Sequence, residues 1–93
     1  MNAERLSASG IHEAKALIEQ SGLSFEEGFD EIFGIYEAGQ LVATGARAGN
    51  ILKMLAVDTS YQGGSVLGEL VTVLVNRSRA AGYESFFIYT KPE

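Results

Sequence analysis

The sequence contains no cysteine and no tryptophan, and it has one proline and one histidine among its 93 residues. Without cysteine, a disulfide framework and a thiolate metal site are both excluded. No apolar run reaches the roughly 18 residues that a membrane span requires, and the first residues lack the basic and apolar segments of a signal peptide. We therefore expect a soluble, cytoplasmic protein with no metal and no membrane partner.

Positive charge is also scarce. Seven Lys and Arg residues stand against twelve Asp and Glu residues, which gives a formal net charge of −5. Nucleic-acid binding depends on cationic contacts to phosphate, so the composition argues against a nucleic-acid partner. With 46% hydrophobic residues, residues 1–93 are expected to form a single small globular domain.

Hydrophobic periodicity predicts two helices. The first covers residues 11–22, with Ser9 as a plausible cap and Gly22 as its stop. The second covers residues 64–81 and ends before Gly82. Its residues at helical spacing predict one buried stripe, formed by Val66, Leu67, Leu70, Val71, Leu74 and Ser78.

Short β-type runs occupy much of the rest of the chain. Residues 32–36, 41–46 and 51–57 are separated by turn residues and predict three antiparallel strands. Residues 25–33 mix aromatic and acidic side chains, which fits either a short helical turn or a covering loop. Residues 84–90 predict a last strand, which the preceding helix would make parallel to its partner, and parallel strands rarely lie at a surface. The predicted fold class is α/β (α+β), with a mixed sheet.

The most informative segment runs from Met54 to Gly68, because a strand passes through Gly63-Gly64 directly into a helix. The first turn of a helix offers about four N–H groups without internal partners and the positive end of the macrodipole, so it can hold phosphate. Adjacent glycines let a ligand approach the backbone. The alternative is that Gly63-Gly64 only turns the chain.

This segment, with Asp58, Tyr61, Gln62 and the two glycines before a helix, resembles the acetyl-coenzyme A signature of the GNAT acyltransferase superfamily. The resemblance implies that loop amides hold the pyrophosphate of acetyl-CoA or CoA, and that the preceding strand pairs with the pantetheine arm. Ser65 stands where the second glycine is usual, and Leu67 where a small residue is usual. The implied cofactor-binding residues are Leu55, Ala56, Val57, Gln62, Gly63, Gly64, Ser65, Val66 and Leu67.

A second register would use Gly64 and Gly68 as the pattern glycines, but it moves Gln62 out of place. The segments on either side of this motif point to one family within the superfamily. Ala48-Gly49-Asn50-Ile51-Leu52-Lys53, Asn76-Arg77 and Phe86-Phe87-Ile88-Tyr89-Thr90-Lys91 resemble the N-terminal GNAT-type domain of the [citrate (pro-3S)-lyase] ligase family. In that family the domain precedes an adenylyl-transferring domain, which uses ATP and acetate to acetylate the thiol of the lyase's CoA-like prosthetic group.

The later helix and closing strands of the GNAT fold have no counterpart in these 93 residues. We therefore expect either the N-terminal part of a longer protein or a reduced domain whose open strand edge is covered by a partner. Three functions follow as alternatives. The domain could bind an acyl-CoA for acyl transfer, it could recognise the CoA-like arm of a carrier protein without catalysis, or it could form a homodimer through the exposed strand edge.

No side chain can be nominated as catalytic from the sequence. His12 lies in the first turn of a predicted surface helix, where we expect an ordinary exposed side chain. Tyr61 and Gln62 could close over a diphosphate, or they could be a packed tyrosine and a solvated glutamine. Ser65 could cap the helix, donate its hydroxyl to phosphate, or both.

On the last strand, Tyr89 would lie near the thioester path that the resemblance implies, or it would pack on the sheet. Glu37 and Lys53 also lie on predicted strands, and their faces depend on the register.

Overall fold

A computed structural model describes residues 2–62 and 64–89. The strands and helices are β1 (Ala3–Arg5), α1 (Ala8–Gln20), β2 (Glu31–Glu37), β3 (Gln40–Ala48), β4 (Ile51–Val57), α2 (Val66–Ala80) and β5 (Phe87–Ile88). A short 3-10 turn covers Thr59–Tyr61 between β4 and α2. No helix among the described residues is long and apolar enough to cross a bilayer.

The five strands form one mixed sheet in the order β1-β2-β3-β4-β5. The first four are antiparallel neighbours, and β5 is parallel to β4. Ala38 and Gly39 connect β2 to β3 with positive φ values of 52° and 80°, the pattern of a tight hairpin turn. The predicted mixed α/β fold is confirmed.

Each helix covers one face of the sheet. The α1 cluster contains Leu6, Ala14, Leu17, Ile18, Ile32, Leu41, Ala46, Met54 and Ala56. The α2 cluster contains Phe33, Ile35, Val42, Ala43, Leu52, Val66, Leu70 and Leu74. Because side chains along a strand alternate between faces, one sheet supplies both clusters.

The N-terminal prediction needs two corrections. Residues 3–5 form a strand that the sequence did not reveal, because Ala-Glu-Arg carries no apolar alternation. The first helix begins at Ala8 with Ser7 as its N-cap residue, and Ser9 lies inside the first turn. Of the two alternatives for the next segment, the covering loop is the one observed: residues 21–30 form a loop that packs Leu23, Phe25 and Phe29 against the α1 cluster.

The C-terminal half also departs from the prediction. Within the predicted stripe of α2, Val66, Leu70, Leu74 and Ser78 are buried, but Leu67 is 43% exposed and Val71 is half-buried. The strand predicted over 84–90 covers only Phe87–Ile88 in the described part. It is the edge strand there, and Phe87 is 64% exposed, so the expectation that a parallel strand avoids the surface is wrong for β5.

Candidate functional site

A β-bulge interrupts β4 near its centre. Lys53 pairs with Ala46 and Ala56 pairs with Thr44, so β4 holds one more residue than β3 between these pairs. Met54 takes the positive φ of 56°. A bulge of this kind re-aims side chains, and here Lys53 and Met54 both contact Glu26.

The bulge also decides which backbone groups of β4 face outward. The Asp58 N–H donates to the Val42 carbonyl at 2.7 Å, which closes the ladder with β3 beyond the bulge. Backbone groups alternate along an antiparallel strand, so those of Ala56 face β3, whereas those of Leu55 and Val57 face away from it. The side that Leu55 and Val57 face is the side on which β5 lies.

Strand β5 pairs only with the beginning of β4. The Phe87 N–H donates to the Asn50 carbonyl at 2.9 Å, and the Tyr89 N–H donates to the Leu52 carbonyl at 2.8 Å. Within residues 2–62 and 64–89, no strand pairs with this side of β4 beyond Leu52. The two strands therefore leave a cleft between them.

A cavity of about 270 Å³ lies at this cleft, lined by Leu23, Ser24, Glu26, Met54, Leu55, Ile88 and Tyr89. The covering loop forms one wall and is held over the bulge at two points. Lys53 Nζ is 3.2 Å from Glu26 Oε1, and the Glu26 N–H donates to Met54 Sδ at 3.1 Å. Tyr89 is 56% exposed and lines the cavity, which favours the cleft position over packing on the sheet.

The segment from β4 to α2 is held by its own side chains. Asp58 Oδ1 accepts a hydrogen bond from the Ser60 N–H at 2.9 Å, and Gln62 Nε2 donates to the Val57 carbonyl at 3.4 Å. Tyr61 packs against the α2 cluster, as the packed-tyrosine alternative expects. Gln62 is exposed and folds back onto the outward side of β4.

Helix α2 begins with backbone donors that have no partner among the described residues. Ser65 is the N-cap residue, and its carbonyl accepts the Glu69 N–H at 3.0 Å. The N–H groups of Val66, Leu67 and Gly68 precede this first helical bond and have no helical carbonyl partner. The Ser65 side chain makes no capping bond, so the expected cap is present in position but not through the hydroxyl.

Of the two glycines of the turn, only Gly64 is among the described residues. Gly63 lies outside the described residues, as do Thr90 and Lys91. Among the described atoms, a Cβ at Gly64 would meet only the Tyr61 carbonyl oxygen at 3.5 Å, an ordinary contact.

The remaining candidates lie elsewhere. His12 is exposed on α1, and Glu37 lies at the end of β2; neither lines the cavity. Among the residues that the structure describes, no three His, Asp or Glu side chains are grouped as metal ligands.

Comparison with known proteins agrees with the fold. No family model matches the sequence. The chain is 35% identical to the [citrate [pro-3S]-lyase] ligase of Haemophilus influenzae over 80 residues, which cover 85% of this chain and 24% of that protein. It is 42% identical to the Klebsiella pneumoniae ligase over 53 residues, which cover 57% of this chain and 16% of that protein. The chain thus spans about a quarter or less of these curated relatives.

Solved structures show the same architecture. The Mycobacterium tuberculosis protein Rv2747, in complex with CoA and NLQ, matches 97% of this chain and 64% of its own, with a TM-score of 0.82 and 19% identity. An aminoglycoside antibiotic 6'-N-acetyltransferase from Acinetobacter haemolyticus matches 100% of this chain and 81% of its own, with a TM-score of 0.81 and 13% identity. A GNAT-family protein from Novosphingobium aromaticivorans matches 87% of this chain and 40% of its own, with a TM-score of 0.75 and 19% identity. The chain has a GNAT-like fold. The resemblance to GNAT proteins and to citrate lyase ligases is confirmed.

The GNAT-like domain also contains an ion cluster that the sequence did not reveal. The Glu31 side chain is 6% exposed, and its two oxygens accept from Arg47 Nη2 and Arg77 Nη2, each at 2.7 Å. Arg5 Nη1 lies 3.7 Å away. The hydrogen bonds from Arg77, joined by those from Arg47, outweigh the cost of burial and hold the pKa of Glu31 below its ordinary value.

This cluster continues into the turn between β3 and β4. Arg47 Nη1 donates to the Gly49 carbonyl at 2.9 Å, and the Gly49 N–H donates to Asp30 Oδ2 at 2.7 Å. Ser78 Oγ, on α2, donates to the same carbonyl at 3.4 Å. Both polar groups of the Gly49 residue are thus bound by side chains.

Proposed function

We propose that this GNAT-like domain binds CoA or acetyl-CoA in the cytoplasm and is the acyltransferase-type domain of a larger citrate lyase ligase-like protein. The observation that carries the proposal is the continuity of two surfaces that make no backbone–backbone hydrogen bond among the described residues. The outward backbone of Leu55 and Val57, where the Val57 carbonyl accepts only from the Gln62 side chain, leads through the loop to the N–H groups at the start of α2. Support also comes from Rv2747, which shares the fold and was solved with CoA.

The chemistry of each part matches a part of CoA. Amide groups of a pantetheine arm can pair with the backbone of Leu55 and Val57 as an added strand would. The N–H groups of Val66, Leu67 and Gly68, next to Gly63 and Gly64, which carry no side chains, would hold the pyrophosphate. The unbonded Ser65 hydroxyl and the Gln62 amide would add two side-chain donors.

The cavity beside β4 would receive the acyl acceptor. Its walls are largely apolar, and its polar side chains are those of Ser24, Glu26 and Tyr89. Acetyl-CoA, when bound, supplies an acetyl group that is activated as a thioester. The residues of this chain would bind and orient that cofactor, and we nominate none of them as a catalytic residue.

Two further partners have specific support. The cleft lies beside exposed β5, so the CoA-like arm of a carrier protein could enter it from solvent. Phe87, Ile88 and Tyr89 are 64%, 45% and 56% exposed, which favours pairing of β5 with another chain or domain. A homodimer through this edge would have a concentration-dependent mass in solution, measurable by sedimentation.

Thermal unfolding with and without CoA and acetyl-CoA tests the proposal. Ligand at about 100 times its dissociation constant should add roughly 2.7 kcal/mol to the free energy of unfolding, a shift of several degrees for a domain of this size. Gly64→Val should abolish the shift, because a side chain at this position would obstruct the ligand, whereas its Cβ would make only an ordinary contact within the fold. Thr72→Val, on the exposed side of α2, is the matched control and should keep the shift.

If the wild-type protein is folded and neither ligand changes its unfolding temperature, the cofactor proposal fails. If CoA raises the unfolding temperature of Gly64→Val as much as that of Thr72→Val, the proposal of a CoA site at the start of α2 is wrong.

A further inference from the structure

We infer that Glu31 is a positioning residue for the cleft, because it fixes β5 through Arg47 and Gly49. Glu31 lies on β2 and does not line the cavity. The inference rests on the proposed function in one respect only, namely that the cleft is the place where CoA would bind.

The first step joins Glu31 to Arg47. The two residues are directly opposite each other in the register of β2 and β3. Glu31 Oε1 accepts from Arg47 Nη2 at 2.7 Å and from Nε at 3.2 Å, and the two side chains are 6% and 9% exposed. Two hydrogen bonds to one buried carboxylate oxygen fix the plane of the guanidinium.

The second step joins Arg47 to the turn. With Nε and Nη2 held by Glu31, Nη1 donates to the Gly49 carbonyl at 2.9 Å. Asp30, the neighbour of Glu31, accepts the Gly49 N–H at 2.7 Å. Gly49 has a positive φ of 61°, and the turn is held in this conformation by Arg47 of β3 and by Asp30, the last residue before β2.

The third step joins the turn to β5. Asn50 follows Gly49, and its carbonyl accepts the first β5 hydrogen bond, from the Phe87 N–H at 2.9 Å. The next bond brings Tyr89 to Leu52 at 2.8 Å, and Tyr89 lines the cavity. The orientation of the turn therefore sets where β5 begins and where its cavity-lining residues lie.

The chain leading into β5 is held by the same carboxylate. Arg77, near the end of α2, places Nη2 2.7 Å from Glu31 Oε2, and Ser78 donates to the Gly49 carbonyl. Both segments that adjoin β5, the turn before β4 and the end of α2, are thus tied to Glu31. A single carboxylate on β2 links the elements that form one wall of the cleft.

Amide hydrogen exchange in the full chain tests this inference by comparing the exchange rates of β5 amides with that of a reference amide in the β3–β4 ladder. The exchange rates of the Phe87 and Tyr89 amides are divided by the rate of the Asp58 amide, which bonds to Val42 and not to β5. In Glu31→Gln the ratio should rise at least about tenfold, because β5 would open locally while the β3–β4 ladder stays closed. The control is Ile18→Val, which destabilises the α1 cluster and should leave the ratio unchanged.

A second variant keeps the test decisive if Glu31→Gln does not fold. Asp30→Ala removes the carboxylate that accepts the Gly49 N–H, and the Asp30 side chain is 59% exposed, so the fold should tolerate the change. Its ratio should rise in the same direction. An unchanged ratio in the folded variants overturns the inference, as does a rise of equal size in Ile18→Val.

The proposed function is tested separately, by the change in the unfolding temperature of the wild-type protein when CoA is added. A raised ratio without any CoA shift in the wild type would support the positioning of β5 and contradict the CoA site. If the wild type shows the CoA shift and folded Glu31→Gln shows the same shift, the link from Glu31 to the cleft is overturned. Loss of the shift in Glu31→Gln, with the shift kept in Ile18→Val, supports it.

Discussion

Arg47 lies directly opposite Glu31 across β2 and β3, and its Nη2 is 2.7 Å from Glu31 Oε1. Both side chains are almost fully buried, at 9% and 6% exposed. A buried charge without its partner is costly, because neither water nor a counter-ion can compensate it. The ion cluster around Glu31 should therefore make large contributions to stability when one partner is removed.

Glu31→Ala should lower the free energy of unfolding by about 3–5 kcal/mol, because it leaves the buried Arg47 with only the exposed Asp30 carboxylate, 3.8 Å from its Nη1, as a counter-charge. The matched control is Glu27→Ala, an exposed carboxylate in the covering loop, which should change the value by less than about 0.5 kcal/mol. Urea unfolding of both variants measures the difference. Equal effects in the two variants would contradict the buried role of Glu31.

The pH dependence of stability should report the same carboxylate. The pKa of Glu31 is lowered in the folded state, mainly by the hydrogen bonds from Arg77, relative to its ordinary value of 4.5. Its stabilising contribution is therefore fully present above that value and is lost as the pH falls through the folded pKa. Urea midpoints from about pH 6 to about pH 3 should fall more steeply in the wild type than in Glu31→Gln. Parallel profiles would contradict the lowered pKa.

Gly45→Ala should destabilise the domain beside the bulge. A Cβ there would lie 2.5 Å from Leu55 Cδ2 and 3.1 Å from Leu74 Cδ1, so one of them must move. Overpacking of this kind costs about 1–3 kcal/mol, which a urea midpoint detects. Because Leu55 lines the cavity, displacement of its side chain should also reduce any unfolding shift caused by CoA.

Gly68→Ala is the matched control for Gly45→Ala. It places the same methyl group in α2, where no atom lies within 4 Å, and alanine is favoured in helices by up to about 1 kcal/mol over glycine. We expect a small stabilisation. A loss of stability comparable to that of Gly45→Ala would show that the crowding near Leu55 is not the cause.

Two leucines of α2 should differ strongly although their chemistry is the same. Leu70→Ala removes a fully buried side chain and should cost about 2–5 kcal/mol. Leu67→Ala removes a side chain that is 43% exposed and should cost under about 0.5 kcal/mol. Thermal unfolding of the two variants separates the outcomes, and equal losses would refute the orientation of the helix.

Much of this fold could be predicted from the sequence because local signals were strong. Strand β4 has the predicted bounds of residues 51–57, since turn residues flank it on both sides. The end of α2 before Gly82 and the hairpin at Ala38-Gly39 follow from the same local chemistry. Strand β1 could not be predicted, because its pairing with β2 is tertiary and its three residues carry no pattern.

The candidate site was predictable only in part. The strand, glycine turn and helix were recognisable as one unit, and the outward backbone of Leu55 and Val57 lies within the predicted segment. The bulge was not predictable, because it places Met54 at a positive φ, which residues other than glycine rarely adopt. Glu31 was missed because a carboxylate is expected at the surface unless its cationic partners are known.

The bulge at Lys53 and Met54 shifts the alternation of β4 side chains between the two faces of the sheet. Before it, Leu52 contributes to the α2 cluster; after it, Met54 and Ala56 contribute to the α1 cluster, while Leu55 and Val57 pack against the α2 cluster. Deleting the one extra residue would move every later side chain of β4 to the opposite face of the sheet, and so from one hydrophobic cluster to the other. This strand should therefore tolerate no change of length.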